Sequence, residues 1–137
     1  MHTSISPVQT IRQLAQLAVF IQGAASELSG YEMFFGAENV SYIREGAGRM
    51  VRMVGEALGA SLEKGPGMNK EQRHDLRNHV AVVKGFSDLI LMDLPAEHSA
   101  RYQLEELSRK CMEFVRLLDE HRALTADSGA ATRAMAS

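Results

Sequence analysis

Apolar residues recur at spacings of three and four along four stretches of this chain, the period of a helix with one buried face. The first stretch carries Ile11, Leu14, Ala18, Ile21, Ala25 and Leu28. Ser6 can cap its start, Pro7 fits the first helical position, and Gln9 completes a capping box. Gly30 is a natural stop. The segment from Tyr31 to Gly36 then holds Met33, Phe34 and Phe35, and so many large apolar groups predict a connection tucked against the bundle end. The second stretch runs from Ala37 to Lys64, with Val40, Ile43, Met50, Met53, Val54, Ala57 and Leu58 on its stripe. Gly46, Gly48, Gly55 and Gly59 lie inside it. Each costs roughly 0.5–1 kcal/mol relative to Ala in a helix interior, so close helix packing or a local bend is expected.

Gly65-Pro66-Gly67 ends the second helix and forms a linker. The third begins at the cap Asn69, with Gln72 at the third helical position, and stops before Pro95. Its stripe is Leu76, Val80, Val83, Ile90 and Leu94, with Ser87 in register. The fourth runs from Ser99 to Leu124 on Leu104, Leu107, Cys111, Val115 and Leu118, with Phe114 alongside. No run alternates well enough to read as a strand. One hairpin cannot cover its own apolar stripe, whereas four helices can share a core. The fold class predicted is all-α, a four-helix bundle of two antiparallel helical hairpins in a single domain. Its parts are an N-terminal hairpin over 7–64, a linker over 65–68, a second hairpin over 69–124, and a disordered tail over 125–137.

The two hairpins slide onto one another. With Leu14 set on Leu76, Ile21 meets Val83, Gly23 meets Gly85, Leu28 meets Ile90, Arg12 meets His74 and Gln16 meets Asn78. Ile43 likewise meets Leu104, Met50 meets Cys111 and Ala57 meets Leu118 after a single-residue change in the connection. A degenerate repeat and the chance register of two amphipathic helices both remain open.

Composition narrows the class. The apolar fraction is 45%, the charged fraction 23% and the net charge −2, which fits a globular chain with no global basic field for nucleic acid or anionic lipid. The lone Cys111 excludes an internal disulfide and a Cys-rich zinc site, and on the core stripe it reads as a buried thiol. No apolar run approaches the ~18 residues of a membrane span, and the first residues lack a signal-peptide pattern. The expectation is a cytoplasmic protein that binds neither membrane nor nucleic acid.

The chemistry lies on the third helix. At roughly 100° per residue, a core of Leu76, Val80 and Val83 puts His74 on the opposite face, with Asn78 beside it. Ala81, Val82, Gly85, Leu89 and Met92 continue or flank that face. Small and apolar groups there leave the imidazole open and let a partner helix approach. A neutral imidazole is a nucleophile near neutral pH, and the neighbouring Asp75 could assist by taking a proton, although it must reach around the helix. Arg73, Arg77 and Lys84 add positive charge suited to a phosphorylated partner. An exposed helical His is more often merely solvated, so geometry alone leaves both readings open. His74 and His79 are poorly spaced as a metal pair. His79 points toward the core side, while His2, His98 and His121 read as terminal or surface positions.

Gln72-Arg73-His74-Asp75-Leu76-Arg77-Asn78, followed by Gly85-Phe86-Ser87-Asp88-Leu89-Ile90, resembles the H-box of histidine kinases. Residues 69–124 as a whole resemble their dimerisation and histidine-phosphotransfer (DHp, HisKA-like) domain. The resemblance implies that His74 is the phosphoacceptor, that Asp75 assists as acid or base, and that Asn78 positions the phosphoryl group or a water. It implies a partner face of Arg73, Arg77, Ala81, Val82, Gly85 and Leu89. His79 stands where the family often has Pro, which predicts a straighter helix. No nucleotide-binding boxes accompany the hairpin, so the phosphoryl group is expected from another protein or another domain. The implied partners are a response-regulator receiver domain, a histidine kinase, or both. The chain would hold no cofactor of its own, since magnesium would sit on the receiver. A real repeat would make one chain a monomeric pseudo-dimer, with Arg12, Gln13 and Gln16 replacing His74, Asp75 and Asn78; a homodimer is the other arrangement. Two alternatives to a phosphotransfer protein are a non-catalytic module that binds and inhibits a kinase or receiver, and a fragment of a larger sensor histidine kinase.

Overall fold

A computed structural model of the chain describes residues 6–65 and 67–136, with side chains described as far as Thr125. It is all-helical, with no strand among the described residues. The elements are α1 (Pro7–Glu27), a 3-10 turn (Leu28–Tyr31), α2 (Glu32–Phe35), α3 (Ala37–Lys64), α4 (Lys70–Asp93) and α5 (Arg101–Ala136). α1 packs on α3 and α5, and α4 packs on the same two, so the four long helices close a ring around one core. No described helix is long and apolar enough to cross a membrane.

Both helix starts follow the local chemistry of the sequence. Ser6 Oγ accepts from the Gln9 amide at 3.2 Å, and Gln9 Oε1 accepts from the Ser6 amide at 2.8 Å. Asn69 and Gln72 repeat the exchange at 2.8 and 2.9 Å. Four otherwise unpaired amides are thereby satisfied. Apolar burial follows the predicted stripes: Ile11, Leu14, Ala18, Ile21, Ala25, Leu28, Leu76, Val80, Val83, Leu104, Leu107 and Cys111 are all buried. Met53, Leu58, Leu94 and Val115 are only partly covered. In the register that sets Leu14 on Leu76, the buried residues of α4 (Leu76, Val80, Val83, Ser87 and Ile90) fall on Leu14, Ala18, Ile21, Ala25 and Leu28, every one of them buried.

The glycines of α3 divide. A Cβ on Gly46 would lie 2.8 Å from Val83 Cγ2 and 3.3 Å from the His79 carbonyl oxygen, so α3 and α4 touch backbone to side chain there. Gly55 and Gly59 face open space, and nothing in the structure explains them. The connection before α3 also differs in part from expectation. Phe35 is buried and stacks on Tyr31 with centroids 5.5 Å apart, but Met33 and Phe34 are 97% and 76% exposed. A one-turn helix can turn only one side to the bundle. α5 extends beyond the expected end near Leu124, into the stretch 125–137 where the sequence pattern predicts a disordered tail; no Pro interrupts this Ala-rich stretch, so its propensity favours helix.

Of the histidines expected at terminal or surface positions, His98 is half-buried and His121 is not at the surface at all. His98 packs beside Tyr31, Phe34 and Phe35 at the bundle end, and its Nδ1 accepts from the Ala100 amide at 3.0 Å. His121 is fully buried. Its Nε2 accepts from the Met68 amide at 2.8 Å, and its Nδ1 lies 2.7 Å from Thr10 Oγ1. Thr10 in turn donates to the Pro7 carbonyl at 2.8 Å. With that hydroxyl proton committed to Pro7, the bond is satisfied by Nδ1–H donating to Thr10, which assigns a neutral imidazole. His121 thus ties α5 to the start of α1 and to the linker. Gly67 completes the fit: its φ is +96°, and a Cβ added there would lie 2.8 Å from the His121 ring, so only glycine has room.

Burial, then the positive charge of Arg73, pushes His121 down to about 4, with hydrogen bonding at Pro7 partly opposing. An unfolded histidine titrates near 6.5. The folded state therefore prefers the neutral ring, and its contribution is complete above pH ~6.5. As pH falls from there through about 4, on the order of 3 kcal/mol is lost. Thermal melts of the native protein and of His121→Leu across this window should show the native protein losing the steeper share of stability; parallel curves would contradict the assignment. Gly46→Ala should destabilise by ~1–3 kcal/mol through overpacking, whereas Gly55→Ala should stabilise by ~0.5–1 kcal/mol through helix propensity. Urea unfolding of the two variants checks both signs.

Candidate functional site

The rotation of α4 is set by Leu76, Val80 and Val83, which are buried against α3 and α5. That rotation leaves His74 and Asn78 exposed one turn apart, as the helical spacing requires. Beyond them the outer face is as smooth as the sequence indicates. Ala81, Val82, Gly85, Leu89 and Met92 are exposed, and a Cβ on Gly85 would touch nothing.

The two flanks of α4 differ in charge. Toward α5, Arg77 pairs with Asp119. Arg73 Nη1 donates to the Met68 carbonyl at 2.8 Å. Arg122 of α5 and Lys70 of the first turn of α4 join them, and together these four cations and His74 line an open cleft of ≈ 380 Å³. Burial, followed by the charges of Arg122 and Arg77, lowers the affinity of the Arg73 guanidinium for its proton. Like charges are held together here with one carboxylate, Asp119, paired among them. Lys84, expected to share this charge, instead bonds Asp88 at 2.5 Å further along the helix. Ser108 also donates to Asp88, and these bonds outweigh burial to keep that carboxyl low.

Asp75 lies on the other flank, partly buried, one turn before His79. His79 is held below its ordinary value by burial and by Arg49, with Asp75 acting in the opposite direction. The carboxylate of Asp75 is therefore felt at His79. Among the described residues no hydrogen bond joins Asp75 to His74. The structure thus brings Arg73, His74 and Arg77 of the predicted set into one cleft, with Asn78 exposed one turn from His74, while Asp75 is not among the residues lining it. His79 is half-buried, as its position toward the core predicts.

Across the bundle Arg12, Gln13 and Gln16 are exposed on α1. In the register that sets Leu14 on Leu76 and Ile43 on Leu104, Lys70, Arg73, Arg77 and Arg122 fall on Val8, Ile11, Ala15 and Ser61, so the cation cluster has no counterpart in the first hairpin. Sequence reasoning missed Lys70 and Arg122. Lys70 was readable as the residue one turn before His74, but Arg122 enters only through the packing of α5 on α4. Among the described residues no three His, Cys, Asp or Glu side chains gather as a metal-ion set. Cys111 is buried, and desolvation pushes its thiol up to about 12, which leaves it unreactive as a nucleophile.

Compared with known protein families, with curated proteins and with solved structures, the chain finds no match in any of the three. The geometry of the site therefore stands by itself. It orders the reactivity of three histidines. In the folded protein, diethyl pyrocarbonate should modify His74 first, His79 more slowly, and His121 only on unfolding. Peptide mapping by mass spectrometry reads this order, and early modification of His121 would contradict its burial.

Proposed function

We propose that this chain is a histidine phosphotransfer protein of a two-component or phosphorelay system, carrying a phosphoryl group on His74 to or from the aspartate of a receiver domain. The observation that carries the reading is an exposed imidazole beside Asn78, on a smooth helix face that borders a cationic cleft. The H-box resemblance around His74 supports the phosphate chemistry. In the forward step the lone pair of an imidazole nitrogen attacks phosphorus of an aspartyl phosphate. The N–P bond forms, the O–P bond breaks, and the aspartate leaves as a carboxylate with the bonding pair. The ring proton passes to solvent or to Asp75 after a rotamer change, and the reverse step returns it. Asn78 orients the phosphoryl oxygens or a water. The open face of Ala81, Val82, Gly85 and Leu89 receives the partner, and any magnesium belongs to the receiver.

The bundle is proposed to be a monomeric pseudo-dimer with one competent site. The coincidence of buried positions in the two hairpins supports this, and Arg12 stands at the silent counterpart of His74. A second reading, a module that binds and inhibits a kinase or receiver without accepting phosphate, draws support from Asp75, which among the described residues forms no hydrogen bond with His74 and does not line its cleft.

Incubation with a phosphorylated receiver, or with a kinase and ATP, should yield acid-labile phosphate on this chain. His74→Ala should abolish the label and His79→Ala should retain it. Asp75→Asn should slow transfer by up to ~10²-fold if it takes the proton. A label that survives His74→Ala rejects the site, and binding without any label favours the inhibitory module. Light scattering should give a monomer; a homodimer formed by pairing two 69–124 hairpins overturns the pseudo-dimer.

A further inference from the structure

The cleft beside His74 combines groups from two helices that no sequence pattern links. Arg73 and Lys70 come from α4, and Arg122 comes from α5. Two features make it a prepared site. Arg73 is tethered from behind, because Met68 accepts its Nη1 at 2.8 Å while the Met68 amide is held by the buried His121. Its remaining N–H groups are left for another acceptor. Arg77 is anchored from the opposite wall by Asp119 of α5. Among the described residues, neither Arg73, Arg122 nor Lys70 forms an ion pair with a carboxylate. A concentration of unneutralised cations on a chain of net charge −2 calls for an anion.

The geometry points to a phosphate-oxygen subsite in which Arg73 and Arg122 hold the phosphoryl group of His74, drawing it onto the histidine and favouring the phosphorylated form of this chain. This deepens the phosphotransfer reading and rests on His74 as the acceptor. Both arginines offer paired N–H donors suited to phosphoryl oxygens, and Lys70 adds a point charge. Arg122 is then a positioning residue supplied by the second helix of the hairpin.

A small phosphodonor tests the subsite without any partner protein. With phosphoramidate, an imidazole nitrogen of His74 attacks phosphorus, the donor P–N bond breaks, and ammonia leaves as ammonium with the ring proton. The readout is the rate of phosphohistidine formation at His74 by mass spectrometry, measured on the full chain at ionic strengths from roughly 0.05 to 0.5 M. Arg73→Gln and Arg122→Gln should each slow labelling about three- to tenfold, with a shallower salt dependence. Arg122→Lys should recover part of the rate. Arg116→Gln, on the other flank of α5 and paired with Glu120, should match the native protein. Melting curves identify a variant that has merely lost its fold, in which case Arg122→Lys alone decides.

Equal rates and equal salt slopes in native protein and both glutamine variants overturn the subsite and leave the phosphotransfer reading intact. Slowing of Arg116→Gln to the same degree also overturns it, since the effect would then be one of net charge. Absence of His74 labelling by phosphoramidate counts against the subsite, whereas the reading of His74 as acceptor is judged separately by labelling from a kinase or receiver.

Discussion

A helical hairpin buries one side of each helix against the other and leaves the remainder of both apolar stripes facing water. Each half of this chain is such a hairpin, and neither can cover Leu14 and Ile43, or Leu76 and Leu104, by itself. The shared core is the constraint from which the rest follows. It turns α4 so that Leu76, Val80 and Val83 face inward, and by helical geometry alone His74 and Asn78 then face outward. It sets α5 against α4, and only that contact brings Arg122 and Asp119 to the flank of the histidine.

The junction of the two hairpins is stabilised by polar groups as well as by apolar area. His121 reaches from α5 to Thr10 at the start of α1 and to the Met68 amide in the linker, and both its ring nitrogens are satisfied. A buried imidazole without these partners would be costly. The same linker residue holds Arg73 through its carbonyl. A side chain in the core thus fixes the placement of a cation at the surface, and couples the closure of the bundle to the electrostatics beside His74.

The halves of the bundle share much of what they bury and differ in what they expose. Every buried position of α4 falls on a buried position of α1 or of the turn that follows it, although α1 also buries Thr10, Ile11 and Leu17, and both helices start with a capping box. The outer faces diverge: His74 with Asn78 and four cations on one side, Arg12 with Gln13 and Gln16 on the other. Core packing limits every inward residue in volume and polarity, whereas solvent tolerates change at the outward ones. Two helices can therefore share an architecture while only one exposes a histidine beside a cation cluster.

Patterns local to a single helix were legible in the sequence. The period of the stripes, the caps at Ser6 and Asn69, the helix stop at Gly65 and the exposure of His74 depend on residues within one or two turns, and the structure places all of them as read. Gly46 was visible as an anomaly, but its cause, the approach of Val83, lies on another helix. A histidine near the end of an amphipathic stripe looks exposed, and His121 defies that pattern only because Thr10 and Met68 supply partners from distant parts of the chain. Asp75 and Lys84 sit beside His74 in sequence or charge, yet Asp75 stays outside the cleft that His74 lines and Lys84 pairs with Asp88. Sequence by itself determined the helices, their buried faces and the open histidine, since these follow from spacing along one chain. Tertiary structure decided which charges surround that histidine, because electrostatic partners are chosen by proximity in space and spacing along a helix carries no information about its neighbours.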